Sequence, residues 1–238
     1  MRQRCRALLA VQALLLGFAP MADAVTIKNL EFNVDGVLPS AEPDIDFNNS
    51  TSQTESSLYS VSGGLLQQST FGVSVGNASY IFPNLSQTGG GLSSALATIM
   101  EARLSISQLA GSAGVFFQAF DGVYRYSVFF ESGGLRVLTS SGNTFVSVAD
   151  LSAFHTYRIQ SQGSSNALEL FVDDVLVLST TAPSSSANGF SFGDGVSAAG
   201  NNGDASWDFV RVSQVPEPST GVLLAMGLFW LARRQGRR

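Results

Sequence analysis

The central part of the chain is predicted to be all-β, folded as an antiparallel β-sandwich. Between residues 25 and 214, short runs rich in Val, Ile, Phe, Tyr and Thr alternate with clusters of Gly, Ser, Asn and Asp. No long stretch has the apolar spacing of an amphipathic helix. Two pairs of runs are joined by Asp-Gly and Asp-Asp, and short acidic or glycine pairs of this kind favour tight hairpin turns.

Residues 1–24 have the three zones of a secretory signal peptide. The first zone is positively charged and contains Arg2, Arg4 and Arg6. Residues 7–18 are almost wholly apolar, and Ala22 and Ala24 then supply the small side chains of an A-x-A cleavage site. We therefore expect a short signal helix and a mature N-terminus at Val25. A retained N-terminal anchor is the alternative, but this run has about 12 residues where a spanning helix needs about 20.

Residues 25–214 form the predicted β-sandwich domain, which at about 190 residues is long enough to bury a core. Its fixed positive charges are Lys28, Arg103, Arg125, Arg136, Arg158 and Arg211. Acidic residues outnumber them, and the whole chain carries a net charge of −5. Nucleic acid is excluded as a partner, because neutralising phosphates needs clustered Lys and Arg. The only cysteine is Cys5, in the signal segment, so the mature protein has neither a disulfide nor a thiolate site.

The first hairpin is predicted over residues 114–130, with Asp121 and Gly122 as a two-residue loop. Strand alternation then separates two faces. The first face is apolar and is the expected core face: Val115, Phe117, Ala119, Tyr124, Tyr126 and Val128. The second is mixed: Phe116, Gln118, Phe120, Val123, Arg125 and Ser127. Aromatic rings beside an amide and a guanidinium suit sugar rings, so Phe116, Gln118, Phe120 and Arg125 are candidate ligand contacts, with plain solvent exposure as the alternative.

The second hairpin is predicted over residues 167–178 around Asp173 and Asp174. Asp tolerates the left-handed conformation that such loops require, so we interpret this pair as a turn rather than as paired catalytic carboxylates. Both faces of the hairpin are apolar, which predicts a central position covered on both sides.

A third strand is predicted over residues 189–195 and a closing strand over residues 207–212, with a polar loop between them. This region contains an oxygen-rich cluster of four side chains: Asp194, Asn201, Asp204 and Asp208. Calcium takes six to eight oxygen ligands, so the cluster is a candidate calcium site, although its spacing is not that of an EF-hand. Ordinary turn residues are the alternative, and no other cofactor is expected.

Residues 215–238 have a different pattern. Val215, Pro216, Glu217, Pro218 and Ser219 come first, residues 220–232 are uncharged and mostly apolar, and residues 233–238 are basic. The apolar run is only about 20 Å long as a helix, against a hydrocarbon core of about 30 Å. It predicts a weak membrane helix with its arginines on the cytoplasmic side. The two prolines predict an extended segment just outside the membrane, accessible to a processing enzyme.

This tail resembles the PEP-CTERM sorting signal, which consists of Pro-Glu-Pro, a short apolar helix and a terminal arginine cluster. The resemblance covers about a tenth of the chain. It implies recognition by an exosortase, which removes or transfers the tail, in a bacterium with two membranes that makes extracellular polysaccharide. The protein would be cut by signal peptidase, held briefly at the inner membrane, and then delivered to the cell surface or matrix. A plain tail anchor is the alternative.

The middle of the chain resembles a concanavalin A-like jelly roll of the laminin-G-like type. The resemblance rests on residues 154–159, where Phe154 replaces the family's tryptophan before His155, on the hairpin at residues 168–178, and on the strand at residues 207–212. It implies two sheets packed face to face, one of which often binds sugar.

Glucan-cutting enzymes on this scaffold carry Glu-x-Asp-x-x-Glu on one strand, where alternation places the first two carboxylates on the same face. Neither Glu101 nor Glu169 has such partners, and no Gly-x-Ser-x-Gly accompanies His155, the only histidine. We therefore expect a protein that is not an enzyme and that binds extracellular polysaccharide or packs in a surface assembly. The alternatives are a glycan hydrolase or lyase with an unrecognised carboxylate pair, and a purely structural matrix protein.

Overall fold

The computed structural model describes residues 24–73, 76–82, 91–111, 114–195 and 202–216. Residues 25–214 group into one compact unit. The predicted signal helix and the predicted membrane helix lie outside the described residues.

Sheet 1 has eight strands. In chain order they are β1 (Val25–Glu31), β3 (Tyr59–Ser62), β4 (Leu65–Ser69), β6 (Ala97–Leu109), β11 (His155–Ser161), β12 (Ala167–Val172), β13 (Val175–Thr181) and β15 (Gly203–Val215). Their order across the sheet is β13-β12-β11-β6-β15-β4-β3, and β1 also pairs with β15. The two long strands, β6 and β15, are neighbours in the middle of this sheet.

Sheet 2 has seven strands. In chain order they are β2 (Asp46–Asn49), β5 (Ala78–Phe82), β7 (Phe116–Asp121), β8 (Arg125–Glu131), β9 (Gly134–Thr139), β10 (Gly142–Ser147) and β14 (Asn188–Asp194). Their order is β10-β9-β8-β7-β14-β5-β2, with antiparallel pairing. The helical elements are a 3₁₀ turn, Pro39–Ala41, and a single-turn helix α1, Glu55–Leu58. The predicted all-β antiparallel sandwich is confirmed.

The inward faces of the two sheets form one core with aromatic contacts across it. Trp207 of sheet 1 meets Phe192 of sheet 2 edge-on, with ring centroids 5.4 Å apart. Tyr157 of sheet 1 meets Phe130 of sheet 2 in the same manner at 4.9 Å. All four side chains are fully buried. Edge-to-face aromatic pairs add specific geometry to apolar burial, so these contacts help fix how one sheet lies on the other.

The first predicted hairpin exists, but its loop is shifted by one residue. Phe120 pairs with Arg125, so the chain reverses at Gly122 and Val123 rather than at Asp121 and Gly122. The Asp121 carboxylate explains the shift, because its Oδ1 accepts the backbone N–H groups of Val123 and Tyr124 at 2.9 and 2.7 Å. Gly122 takes the positive φ of 88° that the first position of such a loop requires. The shift moves pairing by two residues, so each side chain keeps its predicted face.

The second hairpin turns at Asp173 and Asp174, as predicted. Both have positive φ, 48° and 63°, as a two-residue type I′ loop requires. The predicted central position is wrong, because β13 lies at the end of sheet 1. Val175 is 63 % exposed and Leu176 is 49 % exposed. Apolar residues on both faces are therefore not evidence of cover in this strand.

Candidate functional site

The outer face of sheet 2 brings together most of the polar and aromatic side chains of the first hairpin. Antiparallel pairing places Ser191 beside Gln118, Gln118 beside Ser127, and Phe116 beside Phe129. Arg136 of β9 pairs with Phe129. We call the following set the sheet 2 face: Phe116, Gln118, Phe120, Arg125, Ser127, Phe129, Arg136 and Ser191. These side chains come from four adjacent strands, so their positions are set by the backbone ladder.

Gln118 is the centre of a hydrogen-bond network on this face. Its Nε2 donates to Ser191 Oγ at 2.8 Å, and its Oε1 accepts from Ser127 Oγ at 3.0 Å and from Arg125 Nη2 at 2.9 Å. Arg125 Nε also donates to Ser127 Oγ at 2.8 Å. These contacts tie the Arg125 guanidinium to its own strand through Ser127 and to β7 through Gln118.

The aromatic side chains of the face lie beside the two guanidinium groups. Phe116 and Phe129 stack with centroids 6.0 Å apart. The guanidinium carbon of Arg136 lies 4.5 Å from the Phe129 centroid, and that of Arg125 lies 5.8 Å from the same centroid. Arg125 also lies 5.6 Å from the Phe120 centroid. The face therefore combines ring surfaces with positive charge.

Electrostatics on the face are dominated by Arg125 and Arg136. Burial lowers the pKa of Arg125, and the neighbouring charge of Arg136 lowers it further. Arg136 forms an ion pair with Glu131, the next outward residue of β8 after Phe129. No ion pair of Arg125 exists within the described part of the chain.

The carboxylates of this face do not form a catalytic pair of the glycosidase type. Glu131 on β8 and Asp46 on β2 are the acidic residues of sheet 2 that alternation directs outward in the described ranges. Three strands separate them, which at about 4.8 Å per step gives about 19 Å. Paired glycosidase carboxylates lie about 5–9.5 Å apart. Asp121 points inward, where its Oδ2 accepts the Tyr126 hydroxyl at 2.6 Å.

The four predicted ligand contacts all lie on this outer face, but they are not equally accessible. Gln118, Phe120 and Arg125 are partly exposed. Phe116 is only 3 % exposed, because the backbone at Gly195 packs on its ring: a Cβ there would lie 2.6 Å from Phe116 Cδ1. Phe116 is therefore covered and packs within the face rather than at its surface. Ligand contact by the other three residues stays a prediction.

Sequence reasoning missed Phe129, Arg136 and Ser191 as members of the face. Phe129 had a usable signal, because it follows Arg125 and Ser127 in the same alternation. Arg136 had a weaker signal, because Ser132 and Gly133 form a two-residue hairpin loop that sets its pairing with Phe129. Ser191 had none, since only the long-range pairing of β14 with β7 places it there.

The residues of the predicted calcium cluster are divided between the two sheets. Asp194 is buried, and its Oδ2 accepts from Asn202 at 2.9 Å. Asp204 accepts the backbone N–H of Phe71 at 2.9 Å, and Asp208 pairs with Arg103 on sheet 1. Asn201 lies outside the described residues. No group of three acidic, His or Cys side chains that could hold a metal is found in the described ranges, so calcium stays a prediction without support from these contacts.

His155 is the first residue of β11 on sheet 1, and both of its ring nitrogens contact protein oxygens. Its Nδ1 lies 2.6 Å from Asp173 Oδ2, and its Nε2 lies 2.8 Å from the Asp150 carbonyl oxygen. Both partners accept, so the arrangement suits an imidazolium with two N–H donors. The hydrogen bond to Asp173 raises the pKa of His155, and the same bond lowers the pKa of Asp173. This ring braces the second hairpin turn.

The structure describes three of the six predicted processing residues, Ala24, Val25 and Pro216. Ala24 is exposed, and Val25 begins β1 with 55 % of its surface exposed. Pro216 follows directly after β15. Ala22, Glu217 and Pro218 lie outside the described residues.

Comparison with a model of the PEP-CTERM protein-sorting motif matches residues 214–238. The chain ends in a PEP-CTERM sorting motif. The motif begins at Gln214, so it overlaps the last two residues of β15. This motif suggests an exosortase substrate that is exported and sorted to the cell surface. A search of curated proteins gives no match to the chain.

Solved structures similar to this chain share its jelly-roll sandwich. One is an endo-β-1,3-glucanase from Pyrococcus furiosus, 11 % identical, with a TM-score of 0.55 over 82 % of this chain and 95 % of that chain. An alginate lyase of polysaccharide lyase family 7 is 14 % identical, with a TM-score of 0.53 over 75 % and 99 %. A structure from work on endo-acting O-glycanases of the human gut microbiota is 12 % identical, with a TM-score of 0.52 over 80 % and 99 %. At these identities the likeness confirms the concanavalin A-like fold.

The expectation that the protein is not an enzyme is wrong. It rested on the missing Glu-x-Asp-x-x-Glu motif, yet solved structures with this fold include a glucanase, a lyase and endo-glycanases. A fold that carries both hydrolase and lyase chemistry does not depend on one motif. Absence of that motif therefore gives no ground for excluding catalysis.

Within the described ranges, no helix has the length and apolar content needed to cross a membrane. The predicted membrane helix at residues 220–232 falls outside those ranges. The signal peptide, the membrane helix and carbohydrate binding remain predictions.

Proposed function

We propose that this exported, exosortase-sorted protein is glycan-active, and that the sheet 2 face is where it contacts an extracellular polysaccharide. The observation that carries the proposal is the Gln118 network, in which the buried hydroxyls of Ser127 and Ser191 hold the partly exposed amide of Gln118 and guanidinium of Arg125 beside the partly exposed ring of Phe120. Sugar sites in proteins combine flat apolar surfaces with a few fixed polar groups in the same way. The glycan-active neighbours of this fold add support from outside the chain.

Binding is tested with the full-length chain, purified in mild detergent, on a panel of immobilised polysaccharides. Phe120→Ala removes a partly exposed ring of the face, and we expect it to weaken saturable binding about tenfold, equivalent to about 1.4 kcal/mol. Phe171→Ala is the matched control, because Phe171 is a partly exposed ring on sheet 1 that also lies beneath an arginine. Equal losses in the two variants, or no saturable binding by the wild type, would overturn the proposal.

Cleavage of the bound polysaccharide is a second candidate function, favoured by the enzymes among the fold neighbours. Incubation of the wild-type chain with the polysaccharide that it binds should then produce new reducing ends. Ultraviolet absorbance of an unsaturated product would identify elimination, and its absence would identify hydrolysis. Glu131→Gln tests the outward carboxylate at the end of β8, which pairs with Arg136 of the face. Binding without new chain ends would reject cleavage and leave the binding proposal in place.

Exosortase sorting is tested by substitutions in the Pro-Glu-Pro segment of the C-terminal tail. We expect Pro216→Ala combined with Pro218→Ala to leave export intact and to change the final location of the protein in a host that has an exosortase. Cell fractionation measures this. Unchanged delivery to the surface would contradict exosortase sorting and favour a plain anchor.

A further inference from the structure

Arg125 differs from the other fixed cations of residues 25–214 in having no carboxylate partner in the described structure. Each of the others is in an ion pair: Lys28 with Glu42, Arg103 with Asp208, Arg136 with Glu131, Arg158 with Glu101 and Asp174, and Arg211 with Glu31. The chain has more acidic than basic residues, 18 against 13, so carboxylates are not scarce. The unpaired cation is also the one at the centre of the sheet 2 face.

The surroundings of Arg125 leave hydrogen-bonding capacity unused. A guanidinium has five N–H donors in a planar fork, and two of those of Arg125 are used for Ser127 and Gln118. These two bonds fix the orientation of the fork, while the rings of Phe120 and Phe129 flank it at 5.6 and 5.8 Å. A guanidinium held in this way is preorganised, so little further ordering is needed when an anion binds.

The electrostatics point to an anion as the missing partner. Arg125 is partly buried and lies near a second guanidinium, that of Arg136, and both effects disfavour its charge. Glu131 neutralises Arg136 but forms no ion pair with Arg125. A carboxylate or sulfate placed over Gln118 and Arg125 would supply the opposite charge that the described chain does not supply.

We propose that the polysaccharide on the sheet 2 face is anionic, and that Arg125 binds its carboxylate or sulfate groups. This inference rests on the proposed function of that face and adds the class of sugar. The chain has a net charge of −5, so its overall field repels a polyanion. Recognition must therefore come from this local site rather than from general attraction.

The test compares three polysaccharides of similar length: a polyuronate, a sulfated galactan and a neutral β-glucan. Full-length wild type, Arg125→Met and Arg211→Met are measured for saturable binding to each. Arg211 is the matched control, because its guanidinium also lies over a phenylalanine ring but faces outward on sheet 1 beside Glu31. We expect the wild type to prefer one or both polyanions, and Arg125→Met to weaken that binding about tenfold or more while Arg211→Met does not.

The outcomes separate the two proposals. Preference for the polyuronate or for the sulfated galactan identifies the acidic group. Binding to the neutral glucan alone overturns the anionic inference and leaves the proposed function standing, whereas no binding to any polymer overturns the proposed function itself. Equal weakening by the two arginine variants would also overturn the inference.

Thermal unfolding of each variant controls for loss of structure. If Arg125→Met does not fold, Arg125→Lys keeps the charge but loses the planar fork, and it should bind the polyanion more weakly than wild type does. The wild type supplies an independent check, since its affinity for the polyanion should fall as salt increases. Binding that does not change with salt would contradict an ion pair at this site.

Discussion

On both sheets, an arginine lies directly opposite a phenylalanine on the neighbouring strand. On sheet 1, Arg158 pairs with Phe171 at 4.3 Å from its centroid; on sheet 2, Arg136 pairs with Phe129 at 4.5 Å. The local contact is the same, but the surroundings differ. Phe171 is partly exposed and its arginine, Arg158, pairs with two carboxylates, whereas Phe129 is only 9 % exposed and stacks on Phe116.

The difference shows that a side chain on the outer face of a sheet is not always exposed to solvent. The outer face of sheet 1 is a solvated surface on which cations and carboxylates alternate and neutralise each other. The sheet 2 face has a small apolar cluster of its own, an amide network and, among the residues that the structure describes, one cation without a carboxylate partner. A surface that is ordered in this way at the expense of charge balance is the expected form of a binding site.

The largest difference between the two sheets should be in the free energy of unfolding lost when Phe129 or Phe171 is replaced by alanine. We expect Phe129→Ala to lower the free energy of unfolding by about 2–4 kcal/mol, because it leaves a cavity beneath Arg136 and beside Phe116. Phe171→Ala should cost about 1 kcal/mol, because that ring is already partly in water. Denaturant unfolding of the two variants measures the contrast, and equal costs would mean that the sheet 2 face is no more packed than sheet 1.

The amide network should give a smaller effect. Gln118→Ala leaves Ser191, Ser127 and Arg125 without their shared partner, and we expect a loss of about 1–2 kcal/mol in unfolding free energy. Gln67→Ala on sheet 1, where the side chain accepts one bond from Ser206 at 2.7 Å, should change stability by no more than about 0.5 kcal/mol. A cost for Gln118→Ala as small as that of Gln67→Ala would show that water replaces the network.

Ion pairing should differ between the faces as well. A double-mutant cycle on Arg136 and Glu131, whose side chains are 24 % and 23 % exposed, should give a coupling of about 1 kcal/mol. The pair Arg211 and Glu31 is 42 % and 44 % exposed, so water screens it more and its coupling should be smaller. The reverse order would contradict the view that the sheet 2 face is the drier one.

The smallest effect on stability should come from pH, through His155 at the start of β11. The pKa of His155 is raised, so the stabilisation from its bond to Asp173 is complete below the unfolded histidine pKa of about 6.5 and is lost as pH rises through the folded pKa. We expect less than about 1 kcal/mol, because this pair is open to water. Unfolding midpoints at acidic and alkaline pH measure the change, and His155→Gln should remove it.

Much of the fold follows from the sequence because strand alternation is a local property. Phe117 and Tyr126 reach the core face, as predicted, although the loop between them is shifted by one residue, since a two-residue change in pairing preserves the face of each side chain. The position of β13 could not be predicted in this way. Alternation describes the two faces of a strand and contains no information on whether a neighbour lies beside it.

In the candidate site, too, strand alternation predicts the face of each residue but not its neighbours on other strands. Gln118 and Arg125 were placed on one face by alternation within a single hairpin. The facts that make Arg125 unusual depend on two further strands, β9, which follows β8 across a short turn, and β14, which is remote in sequence. Arg136 of β9 raises the local positive charge and takes Glu131 as its own partner, and Ser191 of β14 completes the bonds of Gln118. Charge balance across a sheet is a property of several strands together, so no single segment reveals it.

The sorting motif starts on a strand that lies in the middle of sheet 1. Strand β15 pairs with β1 along its second half, and Gln214 is locked by bonds of 2.9 Å from its Nε2 to Ser93 O and Thr98 Oγ1. Tension applied through Pro216 would therefore pull along the strand and load many ladder hydrogen bonds at once, in shear. A domain held by its tail in this manner would resist mechanical extraction better than one held by an edge strand, which can be peeled away one bond at a time.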